Sequence, residues 1–242
     1  MFDFSRHTAV ITGASSGIGA AVARVFAARG ARLVLAARRA ERLEALAHEL
    51  GLAEDRLLIR PTDVTHEAEV QCLFADADAF SPVTLLVANA GVAVHRPTID
   101  MTLEEWQAVI DINLTAAFLC SREALRVMRP RGRGRIINIG SLSAKMPRPD
   151  TVAYTATKFA LEGMTHSLAL DGRQYGITAS IVHPGSTITE LAGNTENREP
   201  TDKTMAARDV AELVAIAAGV PDQVNIFSST ILPIAQPFLG RG

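Results

Sequence analysis

Short, continuous apolar runs alternate along this chain with longer segments whose apolar residues recur every three or four positions. The short runs fall at 7–11, 32–36, 57–60, 84–87, 135–139, 178–182 and 225–232. A strand covered on both faces reads as such an unbroken run, not as an alternation, so these are the expected strands of a buried parallel sheet. Between them the spacing predicts helices over 17–29, 40–50, 67–79, 103–128, 151–174 and 207–218. Thr102 followed by Glu105 forms a capping box that marks one helix start. Strand and helix taking turns from end to end is the pattern of an α/β fold, here a doubly wound parallel sheet of seven strands flanked by helices.

Composition narrows the picture by exclusion. The 242 residues, 48% hydrophobic and 21% charged, suit one large core, so 1–242 is expected to form a single domain. A net charge of -2 with scattered Lys and Arg offers no basic face for a nucleic acid or an anionic membrane. No stretch approaches the ~20 apolar residues of a membrane span, and residues 1–6 lack the apolar core of a leader, so a soluble cytoplasmic protein is expected. Cys72 and Cys120 match no metal or redox motif and read as buried packing residues. Residues 193–203 are polar and rich in breakers, equally suited to a mobile lid and to an ordinary surface loop.

The chemistry begins directly after the first strand, with Thr12-Gly13-Ala14-Ser15-Ser16-Gly17-Ile18-Gly19 running straight into a helix. Glycines allow a sharp turn and close approach of backbone to a ligand, and a helix N-terminus presents free N–H groups to a pyrophosphate. Alone such a turn is as well read as a plain tight turn; its place after strand one favours a nucleotide site. Tyr154 and Lys158 stand four apart on a predicted helix, hence on one face. A phenol ionises near pH ~10, and an adjacent ammonium is expected to lower that value toward useful proton transfer. A Tyr-x-x-x-Lys pair also arises by chance on many helices; what singles this one out is that it comes after strand five, which ends at Ser141, on the carboxyl edge where open α/β sheets bind ligands.

With these motifs in this order, the chain resembles the short-chain dehydrogenase/reductase family over nearly its whole length. The resemblance implies a Rossmann-like fold and an oxidoreductase that interconverts a carbonyl (ketone, aldehyde or semialdehyde) and an alcohol. It implies Tyr154 as general acid/base, Ser141 as support for the substrate oxygen, Lys158 as ribose anchor and Tyr activator, and Asn113 as holder of a water relay. By the same resemblance Gly13, Ser15, Ser16, Gly17, Ile18 and Gly19 hold the cofactor phosphates, and Asp63 and Val64 the adenine. Asn89, Ala90 and Gly91 lie along the cofactor, and Pro184, Gly185, Thr187 and Thr189 close over it. Ala88 stands where the family often has a second Asn. The helices near 103–128 and 151–174 are expected to pair across two-fold axes into a homotetramer, with a dimer next.

Cofactor choice turns on the end of strand two. No carboxylate sits at Ala37 to bind a free ribose hydroxyl, and Arg38 and Arg39 come next with forks suited to a phosphate, so NADP(H) is expected over NAD(H). The bland alternative is a solvated arginine pair at a helix start. His183 and His95 read as a packing or backbone-bonding residue and a solvated loop residue respectively, a general base and a pocket rim being the sharper readings. The substrate loop is placed at 186–206, and Lys145, Arg148 and Arg96 would favour an anionic substrate if they turn inward; otherwise they are solvated. The stretch 225–236 resembles the branch of the family acting on small hydroxy acids, semialdehydes and assorted ketones. The competing function is a catalytically silent nucleotide-binding relative acting by association. Intact Ser141, Tyr154, Lys158 and Asn113 favour the enzyme.

Overall fold

The computed structural model describes residues 2–192 and 199–238; positions 193–198, the middle of the expected substrate loop, lie outside them. The strands are β1 (Thr8–Thr12), β2 (Arg32–Ala37), β3 (Leu57–Pro61), β4 (Leu85–Ala88), β5 (Gly134–Ile139), β6 (Ile177–Pro184) and β7 (Ser228–Ile231). All neighbours pair in parallel, in the order β3-β2-β1-β4-β5-β6-β7. The expected strand at 225–232 is trimmed to the four residues that pair with Ile181–Pro184 of β6.

Side chains alternate between two cores, as the two-residue period of a strand requires. Ala9 and Ile11 of β1, with Leu33 and Leu35 of β2, face one core; Val10 and Val34 face the other. Helices α1 (Gly17–Ala28), α2 (Ala40–Leu50) and α7 (Ala207–Gly219) cover the first face. Helices α3 (Glu67–Phe80), α5 (Ala116–Met128) and α6 (Val152–Arg173) cover the second. Cys120 packs inside this second core, where burial pushes its thiol up to about 12, whereas Cys72 is exposed on α3, contrary to the expectation of burial.

The predicted helix over 103–128 is interrupted. Helix α4 (Leu103–Ile110) begins at the expected capping box, with the Glu105 amide donating to Thr102 Oγ1 and the Thr102 amide to the Glu105 carboxylate, both at 3.1 Å. It then passes through one wide turn, Asp111–Thr115, before α5. A π-turn accommodates an extra residue and rotates the helix beyond it, and here it carries Asn113 inward to 1% exposure. The topology also fixes where a ligand can lie. From β1 the chain winds one way to β2 and β3, then crosses back to β4 on the other side of β1. The loops leaving β1 and β4 therefore part in opposite directions and open a crevice at the carboxyl edge.

Candidate active site

A cleft of about 660 Å³ runs along this carboxyl edge. At its nucleotide end, Gly13 (φ +63°) and Gly17 (φ +54°) adopt left-handed backbone that disfavours side chains. Gly19 is needed for space: a Cβ there would lie 2.4 Å from the Gly13 carbonyl oxygen and 2.6 Å from Asn89 Nδ2. Asn89 ties β4 to this turn, its side-chain amide donating to the carbonyls of Thr12 at 3.1 Å and Gly13 at 3.2 Å. Thr12 Oγ1 in turn accepts from the amides of Asn89 and Ala90. The motif Asn89-Ala90-Gly91 thus buttresses the glycine turn while its own backbone lines the cleft.

Beside the turn, Ala37, Arg38 and Arg39 line the cleft. Arg39 is the more engaged of the two cations. Its Nη2 donates to Ser15 Oγ at 3.0 Å and Ser16 Oγ at 2.9 Å, and its Nη1 to Glu190 at 3.0 Å. Glu190, which also pairs with Arg42, opens the short turn Glu190–Ala192 of the loop after β6. Farther out, Asp63 and Val64 line the same end, the Asp63 carboxylate accepting from the amide and hydroxyl of Thr65 at 3.0 and 2.7 Å.

At the other end, α6 brings Tyr154 and Lys158 to the cleft wall opposite Ser141. Tyr154 is 8% exposed, with the Ser141 hydroxyl close enough to act on its ionisation. Burial pushes the phenol above its ordinary value, and the Ser141 hydroxyl and the Arg148 charge only partly oppose this. The expected lowering by Lys158 is therefore not what governs Tyr154. The Lys158 Nζ donates to the Ile139 carbonyl at 2.8 Å and lies 5.5 Å from the Tyr154 ring centroid, its own pKa lowered by burial to about 8.

Asn113 sits one layer behind. Its Oδ1 accepts from the Val92 amide at 2.8 Å, and its Nδ2 donates to the Val92 carbonyl at 2.9 Å and to Thr157 at 3.2 Å. Its side chain thereby clamps the loop after β4 to α6. Gly19 and Asn113 support the cleft from beneath; the other expected site residues, Ile18 and those of the Pro184-Gly185-x-Thr187-x-Thr189 loop included, line it.

Of the partners behind Ser141 the sequence singles out His183 and not Glu162. His183, at the end of β6, is fully buried with its ring against Gly140, and its Nδ1 lies 3.0 Å from the Ser141 carbonyl oxygen. Its Nε2 has no hydrogen-bond partner among the described residues and lies 3.8 Å from Glu162, which pairs with Lys145. This places His183 as a backbone-bonding residue. Gln236 is another unforeseen member, accepting from the Ser186 amide at 2.7 Å while lining the cleft. Among the described residues no cluster of His, Cys, Asp or Glu could hold a metal ion, and no helix is long and apolar enough to cross a membrane.

Known proteins share this fold. An uncharacterised oxidoreductase of Staphylococcus aureus is 33% identical over 228 residues, covering 93% of this chain and 96% of the relative. Among solved structures, an alcohol dehydrogenase from the archaeon Thermococcus sibiricus complexed with 5-hydroxy-NADP is similar at a TM-score of 0.88 and 26% identity, covering 97% of this chain and 99% of that one. The closed form of a serine dehydrogenase complexed with NADP+ is similar at a TM-score of 0.87 and 28% identity, covering 97% and 98%. The model of the short chain dehydrogenase family matches residues 7–200, and on this match, the shared fold and the full-length relatives, the chain belongs to the short chain dehydrogenase family.

Proposed function

We propose that this protein is an NADP(H)-dependent oxidoreductase, a single domain that interconverts a carbonyl compound and its alcohol. The observation that carries this reading is the meeting of Tyr154, Ser141 and Lys158 in the same cleft as a glycine turn shaped to admit a dinucleotide. The cradle fits such a group: two left-handed glycines, a third position closed to any Cβ, and a guanidinium spread over Ser15 and Ser16. When bound, a nicotinamide cofactor supplies the hydride for reduction and accepts it in oxidation.

The protein's own residues handle the proton. Burial keeps the Tyr154 phenol protonated at neutral pH, so it is set to give its proton to a developing alkoxide oxygen. The Ser141 hydroxyl holds that oxygen. Lys158, still an ammonium below its pKa of about 8, places a cation behind the phenol and offers an N–H to a ribose. Asn113 keeps the loop after β4 in register with α6. Preference for NADP(H) over NAD(H) rests on the absence of a carboxylate at Ala37 and on Arg38 and Arg39 beside it.

Turnover is read from NADPH absorbance across aldehydes, ketones and hydroxy acids, with NADH in parallel. Tyr154→Phe is expected to remove turnover while NADPH affinity stays within about twofold, since only the proton donor goes. Near-normal turnover by that variant takes Tyr154 out of the chemistry and the reading with it. A homotetramer, with a dimer next, is proposed from Phe118 on α5 and Phe159 on α6, which stand 45% and 48% exposed. Light scattering at micromolar concentration reads the state, and a monomer refutes it.

A further inference from the structure

The substrate end of the cleft has its own charge pattern, which the structure sorts among three basic residues. Arg96 turns away to Glu105, 2.6 Å from it, and does not line the cleft. Lys145 is spent on Glu162 on the far side of Ser141. Arg148 lines the cleft, and its guanidinium has no hydrogen-bond or carboxylate partner among the described residues. Its charge reaches the Tyr154 phenol, where it acts to lower the pKa against burial.

Among the described residues, no carboxylate at that end neutralises it. The two carboxylates lining the cleft among the described residues are Asp63, at the nucleotide end, and Glu190, which is held by Arg39 and Arg42. Asp150, two residues beyond Arg148, does not line the cleft. The remaining wall beside Tyr154 combines apolar groups such as Val92, Leu142 and Met146 with the imidazole of His95. The loop bearing Arg148 is also anchored. The Arg96 amide donates to the Asp150 carbonyl at 2.8 Å, and Thr151 Oγ1 donates to the Arg148 carbonyl at 2.7 Å. Asp150 itself is the one described non-glycine residue with positive φ, +60°. A guanidinium with no partner among the described residues, on a pinned loop, in a wall that joins apolar side chains to neutral hydroxyls and an imidazole and whose described residues put no carboxylate there, is complementary to a small anion carried on an apolar stem.

We infer that Arg148 is the specificity residue for substrates bearing a carboxylate, so that the physiological substrate is an oxo acid or the corresponding hydroxy acid. This rests on the oxidoreductase reading above and adds to it the class of substrate. The carboxylate pairs with the Arg148 fork while the carbonyl oxygen lies at Tyr154 and Ser141. Arg148 touches the substrate and not the reacting atoms.

The test compares 2-, 3- and 4-oxo acids, each with its methyl ester, under NADPH with wild type, Arg148→Gln and Arg148→Glu. Arg148 projects from an exposed loop and is held there through its backbone carbonyl, so both variants keep the fold; circular dichroism verifies it. In wild type at least one oxo acid is expected to exceed its ester in kcat/KM. Arg148→Gln should lower that acid-to-ester ratio about ten- to a hundredfold, mostly through KM, and Arg148→Glu should lower it further. The wild-type ratio should also fall as ionic strength rises. Esters turned over as well as acids, with a ratio that neither variant moves, would overturn the anion assignment and leave the oxidoreductase standing. An equal loss on acid and ester would likewise overturn it, assigning the charge to Tyr154 instead. Turnover of neither member of any pair would overturn the oxo-acid assignment, and the oxidoreductase reading falls with it only if the wider panel of aldehydes, ketones and hydroxy acids is also left unconverted.

Discussion

Replacing Lys158 by Met keeps the length and apolar body of the side chain and removes its ammonium. Burial takes this group from its ordinary 10.5 to about 8. At roughly 1.4 kcal/mol per pKa unit, that is a penalty on the order of 3 kcal/mol for holding the charged form in the fold. The sign is set by proton counting. Between pH 8 and 10.5 the unfolded chain keeps the Lys158 proton while the folded one has released it, so stability climbs with pH through that window. Below it both states are protonated and the contribution is flat at its lowest. The difference in unfolding free energy, wild type minus Lys158→Met, should therefore stay level from pH 6 to 7 and rise by about 2 kcal/mol by pH 9.5. Urea unfolding of cofactor-free protein at 25 °C measures it, and groups common to both proteins largely cancel. His183, whose pKa Lys158 also helps to lower, titrates below the window. A difference that is flat or falls between pH 7 and 9.5 would refute the claim that a buried ammonium stands at this site.

The geometry sets three further outcomes. Gly19→Ala drives a methyl into the Gly13 carbonyl and should cost ~1–3 kcal/mol in urea melts and weaken NADPH at least about tenfold by fluorescence titration; Gly51→Ala, with open space but φ +57°, should cost ~1–2 kcal/mol and leave NADPH binding alone. His183→Leu should lower kcat about tenfold by freeing the Ser141 backbone, and His183→Asn, which restores a donor near the Nδ1 position, should recover part of it; equal losses in the two reduce His183 to packing. Arg38→Ala and Arg39→Ala should each cut the NADPH-to-NADH ratio of kcat/KM by roughly ten- to a hundredfold, and adding Ala37→Asp should swing it toward NADH; a ratio that none of them moves means the two arginines are a solvated helix start.

The sheet was legible because both of its faces are covered: doubly buried strands leave apolar runs, and glycine spacing after β1 marks the switch point. What stayed hidden was set by tertiary contact. The wide turn at Asp111–Thr115 has no signature in a 3.6-residue pattern, since one extra residue in a long helix leaves most of its apolar stripe intact. Cys72 was expected inside on the strength of apolar neighbours, yet it falls on the outer face of α3. The Tyr154–Lys158 spacing is visible in the sequence, but its electrostatics is not, because desolvation depends on everything packed around α6 and here exceeds the influence of the neighbouring cation. His183 and Glu162 lie on different elements, and only the fold brings them together behind Ser141.

The loop after β6 leaves and returns at nearly one point. The Ile188 amide donates to the Met205 carbonyl, the Met205 amide to the Ser186 carbonyl, each at 2.9 Å, and Thr187 bridges Met205. A segment stapled at its root behaves as a cassette. Lengthening or exchanging the residues between the staples changes the closure cost only by about (3/2)RT ln of the length ratio, a few tenths of a kcal/mol for modest changes. Glycine turn, phenol and ammonium are anchored elsewhere, on β1, α1 and α6. Residues between the staples can therefore be exchanged while the glycine turn, Tyr154 and Lys158 stay in place, one physical route by which a single scaffold comes to carry differently shaped pockets.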